Sequence, residues 1–205
     1  MKSWAPPQMI LVLEFNRWDI LRDMLMKLAV LLGIAAGLAS ATWADAPGVP
    51  SDPPYIVLSD NHDEPNGYGF CIDTFGPGQS DFLQTHSCKP ARAGEPRGFA
   101  GHDTRFEYDV ATMQIISYPF EGHCMQVLLA RGRTEFALLP CSDHPRQKFV
   151  YDAADRSLRL HEDQSLCVTV SEATEPAGPW VKRALRVTAC AEAEAALMQW
   201  TLVAE

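Results

Sequence analysis

The sequence predicts an all-β domain in which three units of four strands share one core as a closed barrel capped by hairpins. Three observations carry this. The six cysteines fall in three pairs separated by 17, 17 and 23 positions, and the first cysteines of successive pairs are 53 and 43 apart, the period of small repeat modules. Around them the same pieces recur: GFCIDT, FLQTHSC, TRFEYD and MQIISY; then GHCMQV, FALLPC, QKFVYD and SLRLH; then SLCVTV, ALRVTAC and MQWTLV. These pieces are short runs rich in Val, Ile, Leu, Phe and Tyr, bounded by Gly, Pro, Asp or Asn, as strands are. One such unit alone would expose its apolar face, so the three must bury theirs together.

Taken in order, residues 1–44 stand apart. Lys27 precedes an apolar run from Leu28 to Ala41; the run is short for a bilayer and suits the core of a signal peptide spanning 24–44, cleaved after Ala41 or Ala44. Residues 1–23 read as an extension upstream of a true start at Met24 or Met26, and an uncleaved anchor is the alternative for the apolar run. Asp45 to Pro54 (DAPGVPSDPP) is a proline-rich linker. The units then cover about 55–109, 110–152 and 153–205. YIVL (Tyr55 to Leu58) opens the first unit, which carries a long insertion from Lys89 to His102. MQII (Met113 to Ile116) opens the second, and Leu158 to Leu160 opens the third, where Ser171 to Arg183 is an inserted loop. The turn segments YDVATMQII and YDAADRSLRL place an Asp and a short polar stretch before the next unit's first strand. AEAEAALMQW leaves room for at most one helical turn before the last strand.

Without residues 1–44 the chain carries 13 basic and 23 acidic side chains, a formal charge of -10. Phosphate binding needs clustered Lys and Arg, and these are scattered singly or in pairs such as Lys182-Arg183, so nucleic acid is not an expected partner. All six cysteines (Cys71, Cys88, Cys124, Cys141, Cys167 and Cys190) lie beyond residue 44, an even number that fits three disulfides in a secreted or periplasmic protein. Arithmetic alone leaves 15 pairings open. The histidines lack the i, i+4 spacing of a helical zinc pair, and neither metal nor cofactor is expected. No G-x-S-x-G, H-E-x-x-H or phosphate loop occurs, and Glu162-Asp163 reads as a solvated turn, so the expectation is a protein that is not an enzyme. No membrane span is expected in the mature chain.

The combination of C-x-D, a strand ending x-Q-x-x-x-C and an aromatic residue about ten positions later, in three copies, resembles the ricin B-chain type of β-trefoil lectin. The likeness covers roughly Tyr55 to Leu202. The family's Q-x-W signature is degraded: Gln147-Lys148-Phe149 has Phe for Trp, Met198-Gln199-Trp200 keeps the Trp without the first Gln, and Thr104-Arg105-Phe106 keeps only an aromatic. The resemblance implies a β-trefoil with disulfides inside each unit, Cys71 with Cys88, Cys124 with Cys141 and Cys167 with Cys190. It also implies that Phe106, Phe149 and Trp200 are equivalent core residues.

In this family a sugar site uses the Asp of C-x-D, a Gln and an aromatic on the following strand, and an Asn before Q-x-W. A carboxylate accepts hydrogen bonds from adjacent hydroxyls, an amide adds donors and acceptors, and a ring stacks on the sugar. Carried over, the first unit offers Asp73, Gln84, His86 in the ring's place, and Asp103 for the Asn. The second unit has Gln126, Ala137, Leu139 and Arg146 there, and the third Thr169, Arg186, Thr188 and Leu197; neither keeps carboxylate or ring. The resemblance thus implies a glycan partner and at most one site of the family type, weakened on acidification if His86 titrates near its ordinary value. Asp73 read structurally is instead a carboxylate facing the turn at Gly76 to Gly78, and the Lys89 to His102 insertion either covers the pocket or extends it. The competing expectation is a trefoil that has lost sugar binding and docks a secreted protein partner. The Pro-rich segments DAPGVPSDPP and TEPAGPW suit extended contact, and Trp180 is either a loop anchor or an exposed contact residue.

Overall fold

The structure, a computed structural model, describes residues 46–50, 53–75, 81–90, 101–130 and 133–204. The expected extension and signal peptide, the Gly76 to Gly78 turn and residues 91–100 of the first insertion lie outside the described residues.

Each predicted run forms a strand. The first unit contributes β1 (Tyr55–Leu58), β2 (Phe70–Thr74), β3 (Leu83–Ser87) and β4 (Phe106–Asp109). The second contributes β5 (Gln114–Ser117), β6 (His123–Ala130), β7 (Arg133–Pro140) and β8 (Phe149–Asp152). The third contributes β9 (Ser157–Leu160), β10 (Leu166–Val170), β13 (Leu185–Ala189) and β14 (Trp200–Val203), with a hairpin of β11 (Glu175–Ala177) and β12 (Trp180–Arg183) inserted after β10. One turn of helix, α1 (Ala195–Met198), precedes β14.

Neighbouring units join through antiparallel pairs of a last strand with the next first strand: β4 with β5, β8 with β9, and β14 back to β1. That return pairing closes the ring of units. Within the second and third units, isolated bridges Gln114↔Lys148 and Ser157↔Gln199 tie the first strand to the fourth. The central hairpins β2–β3, β6–β7 and β10–β13 share one register, with Asp73↔Gln84, Gln126↔Ala137 and Thr169↔Arg186 as opposed pairs. This arrangement is an all-β β-trefoil.

Repetition extends to single hydrogen bonds. The disulfides are Cys71–Cys88, Cys124–Cys141 and Cys167–Cys190, each inside one unit. In every unit the second cysteine donates its N–H to the residue two before the first: Cys88 to Gly69 (2.9 Å), Cys141 to Gly122 (2.8 Å) and Cys190 to Ser165 (2.8 Å). Gly69 meets two demands at once, a positive φ of 79° and the approach of Pro47, whose Cβ would lie 2.4 Å from an added side chain. The linker residue Pro47 is thereby seated on the first unit.

Phe106, Phe149 and Trp200 each begin a fourth strand and are fully buried in the shared core. Two residues after the first two of them stands a tyrosine whose hydroxyl donates to the carbonyl of the next unit's aromatic: Tyr108 to Phe149 (2.9 Å) and Tyr151 to Trp200 (3.0 Å). The third unit has Leu202 at this place, so its strand makes no such link. The Asp that follows each tyrosine caps the turn to the next unit: Asp109 accepts from Ala111 N–H at 2.8 Å and Asp152 from Ala154 N–H at 3.0 Å. Trp200 satisfies its indole N–H on the carbonyl of Val168 at 3.0 Å.

The third-unit insertion departs from expectation. TEPAGPW was expected as an extended segment free to meet a partner, but it folds as the β11–β12 hairpin and adds to the first unit's sheet, with Lys182↔His86 and Arg183↔Thr85 as register partners. Buried polar groups fix it there. Glu64 accepts from Ser87 Oγ at 2.7 Å, and the same hydroxyl receives the Val181 N–H at 3.3 Å. Arg183 donates to the carbonyls of Ser171 (2.9 Å) and Glu172 (2.8 Å) while Thr85 Oγ1 donates to its carbonyl (3.0 Å). An edge of unpaired amides on β3 next to a mobile proline-rich loop would leave those donors unmatched, and the hairpin satisfies them.

Replacing Cys124 and Cys141 together by Ala opens a loop closed over 17 positions and is expected to lower unfolding free energy by about 3 kcal/mol in the chain-entropy account. Chemical denaturation of the double variant against the oxidised parent measures it; an unchanged midpoint would show that the bond adds nothing to the native state.

Candidate functional site

The residues carried over from the sequence gather in the first unit. Asp73 on β2 and Gln84 on β3 are opposed across the hairpin, and so are Cys71 and His86, which places Asp73, Gln84 and His86 on the same face of the sheet. Asp103 reaches the same place from the loop before β4. What joins the two acids is a residue that the sequence reading left unassigned, Lys89. It follows Cys88, whose disulfide to Cys71 pins it beside β2, and its Nζ lies 3.2 Å from Asp73 Oδ2 and 2.9 Å from Asp103 Oδ1. Asp103 Oδ1 also receives the Gly101 N–H at 3.2 Å.

All three charged groups are buried: Asp73 is 1% exposed, Asp103 0% and Lys89 7%. One ammonium therefore serves two carboxyl groups in a place where water cannot share the load. Burial raises the Asp73 carboxyl well above its ordinary range; Lys89 opposes this and Asp103 adds to it. Burial alone would lower the Lys89 ammonium, but Asp73 and Asp103 outweigh it and the group is raised. The shorter of the two ammonium contacts goes to Asp103. Asp73 Oδ1 and Asp103 Oδ2 have no hydrogen-bond partner among the described residues, and unmatched buried acceptors of this kind cost about 1–3 kcal/mol each.

His86 behaves differently from the sequence expectation of a pH-dependent ring. It is buried on β3, beside β12, with Nδ1 3.1 Å from the Ser87 carbonyl, and burial, reinforced by the Lys89 charge, lowers it to about 4. A ring with that value stays neutral between about pH 5 and 8, so the expected loss of affinity on acidification has no source in this side chain.

No carboxylate stands at the corresponding places in the other units. Gln126 accepts from Gln147 Nε2 at 3.1 Å, and Gln147 also donates to the Pro140 carbonyl at 3.0 Å and accepts from Ser142 N–H at 2.8 Å. In the third unit Thr169 and Thr188 share a hydroxyl contact of 3.0 Å. Trp180 is half-buried, its ring 6.4 Å from that of Tyr68, which places it against the first unit's loop. Sequence reasoning missed Lys89, although a lysine directly after the last cysteine of the one unit with acids at both carried-over places was a readable signal. It also passed over Phe75 and Phe82, the exposed rings at the tip of the same hairpin.

Among the described residues no group of three His, Cys, Asp or Glu side chains is placed to hold a metal ion, and no helix is long and apolar enough to cross a membrane.

The chain is similar to several solved structures. The solution structure of the mdaA-1 domain is similar over 76% of this chain and 92% of its own, with a TM-score of 0.51 at 11% identity. An earthworm R-type lectin C-half, solved in complex with GalNAc, is covered completely and matches 75% of this chain, at a TM-score of 0.49 and 7% identity. The β-trefoil lectin of the Vibrio vulnificus hemolysin/cytolysin, solved with N-acetyl-D-lactosamine bound, matches 74% of this chain and 93% of its own at a TM-score of 0.43 and 12% identity. No protein-family model and no curated protein matches the chain. The fold is a β-trefoil.

Two outcomes test the electrostatics of the cluster. Lys89→Met leaves two carboxyl groups without a counter-charge and is expected to cost about 3–5 kcal/mol near pH 7, a loss that shrinks on acidification as the acids take up protons; urea unfolding at pH 7 and pH 4 measures both. For His86 the lowered value means that the unfolded chain binds a proton first as pH falls below 6.5. The stability present above 6.5 is lost on the way down to about 4, so the parent should lose about 2–3 kcal/mol relative to His86→Gln across that window. Parallel pH curves for the two proteins would contradict it.

Proposed function

We propose that this protein is a non-catalytic carbohydrate-binding module whose family-type site is confined to the first unit. The observation that supports it is the convergence there of Asp73, Gln84 and Asp103 with two buried carboxyl oxygens, Asp73 Oδ1 and Asp103 Oδ2, that have no hydrogen-bond partner among the described residues. A pair of sugar hydroxyls is a matching donor set, since each can give a hydrogen bond to a carboxylate while accepting one from an ammonium such as that of Lys89. The second and third units lack a carboxylate at the equivalent places. Three disulfides suit an oxidising compartment, so the module acts outside the cytosol, in the periplasm or beyond.

The second reading, a protein-binding trefoil that has lost sugar binding, is favoured by the burial of the same cluster. Lys89 already supplies donors to both acids, and the β11–β12 hairpin adds to the β3 edge. A partner would then meet the outer surface of that hairpin around Trp180.

A glycan array probed with the oxidised mature chain beside Asp73→Ala separates the two. Binding to N-acetylgalactosamine or lactosamine structures that disappears in the variant is the expected result. A blank array from well-folded protein would overturn the sugar reading in favour of a protein partner, in which case Trp180→Ala should release a protein captured from the native secretome.

A further inference from the structure

A cavity of about 270 Å³ opens where the three central hairpins meet. The shared register makes Leu83, Phe136 and Leu185 equivalent, each one residue before the opposed pair member Gln84, Ala137 or Arg186. All three are buried and all three line the cavity, so it lies around the pseudo-threefold axis of the trefoil. The residues just before them, Phe82, Glu135 and Ala184, are likewise equivalent and form its rim. Backbone contacts across the units hold the rim in place: Phe82 bridges to Ala137, and Leu138 N–H donates to the Asp81 carbonyl at 3.1 Å.

Symmetry is broken in what the rim presents. Phe75 and Phe82 lie opposite one another across the first hairpin, Phe75 N–H donating to the Phe82 carbonyl at 2.8 Å, and their rings are 55% and 49% exposed. Such exposure of two adjacent phenyl rings is costly unless something covers them. The β11–β12 hairpin adds Glu175 and Lys182, which pair at 3.5 Å, and the Lys182 ammonium stands 4.9 Å from the centre of the Phe75 ring. Arg186 and Glu135 complete the charged rim, two cations against two carboxylates. Gln84 lines the same space, more than nine-tenths buried.

We propose that this axial cavity is a second ligand site, one that takes a neutral sugar ring. The claim rests on the reading of the protein as a carbohydrate-binding module. A rim of balanced charge disfavours both anions and cations as ligands. Carboxylates, a guanidinium and the Gln84 amide supply acceptors and donors for hydroxyls, and phenyl rings offer a flat face to the C–H side of a pyranose. An acyl chain would strip water from the Glu175–Lys182 pair and from Glu135 and Arg186 while offering them no hydrogen bond, which is unfavourable. The size suits a single ring, below the usual range for drug-sized ligands.

The test is a titration of isotope-labelled, disulfide-intact protein with free galactose, glucose, mannose and the N-acetylhexosamines at millimolar concentrations, followed by NMR shifts. Expected are shifts centred on Leu83, Phe136 and Leu185, with affinity reduced about tenfold or more in Phe82→Ala and in Arg186→Ala. Both side chains are exposed, so the variants should retain the parent spectrum elsewhere. Shifts centred instead on Asp73 and Asp103, unchanged in both variants, would overturn the axial site while leaving the sugar reading intact. No shift with any sugar would overturn both.

Discussion

A four-strand unit of about fifty residues cannot bury its own apolar face, and the whole molecule is arranged around that constraint. Phe106, Phe149 and Trp200 place one large ring per unit in a common core. Tyr108 and Tyr151 then carry the coupling outward, each hydroxyl bonded to the backbone beneath the next unit's ring. Because that hydrogen bond joins a side chain of one unit to the backbone of the next, a unit cannot shift its register without breaking it. The disulfides act inside units and the aromatic links between them, so the two kinds of restraint divide the work of holding the barrel.

The threefold frame was legible because it repeats. The opposed pairs Asp73↔Gln84, Gln126↔Ala137 and Thr169↔Arg186 follow from counting from the cysteines, and the observed register agrees. Insertions carry no such repeat. That Ser171 to Arg183 would turn into a hairpin on β3 depends on the unpaired edge of a strand nearly a hundred residues earlier, and nothing local in TEPAGPW announces that edge. Lys89 was hidden for a similar reason: its role depends on Asp103, across an insertion whose path the sequence does not specify.

The candidate site shows the same division. Residue types at the family positions could be read one by one, and they do come together. Their environment could not be read. His86 was expected to titrate near neutrality because its type does so in water, whereas burial and the nearby ammonium hold it neutral. The axial cavity was invisible for another reason: Phe82, Glu135 and Leu185 come from three different units, and only the pseudo-symmetry that opposes them brings a phenyl ring, a carboxylate and an aliphatic floor into one space.

The inserted hairpin also settles how the largest sheet ends. Its outermost strand is Glu175–Ala177, three residues with a proline at the centre. A longer β3 edge would present a row of backbone donors and acceptors to any extended chain that drifted past. β11 presents a strand too short to template another, begun by a charge and lacking one N–H. An addition that looks like decoration in the sequence thereby acts as a terminator, keeping a sheet-rich protein from growing by edge-to-edge assembly.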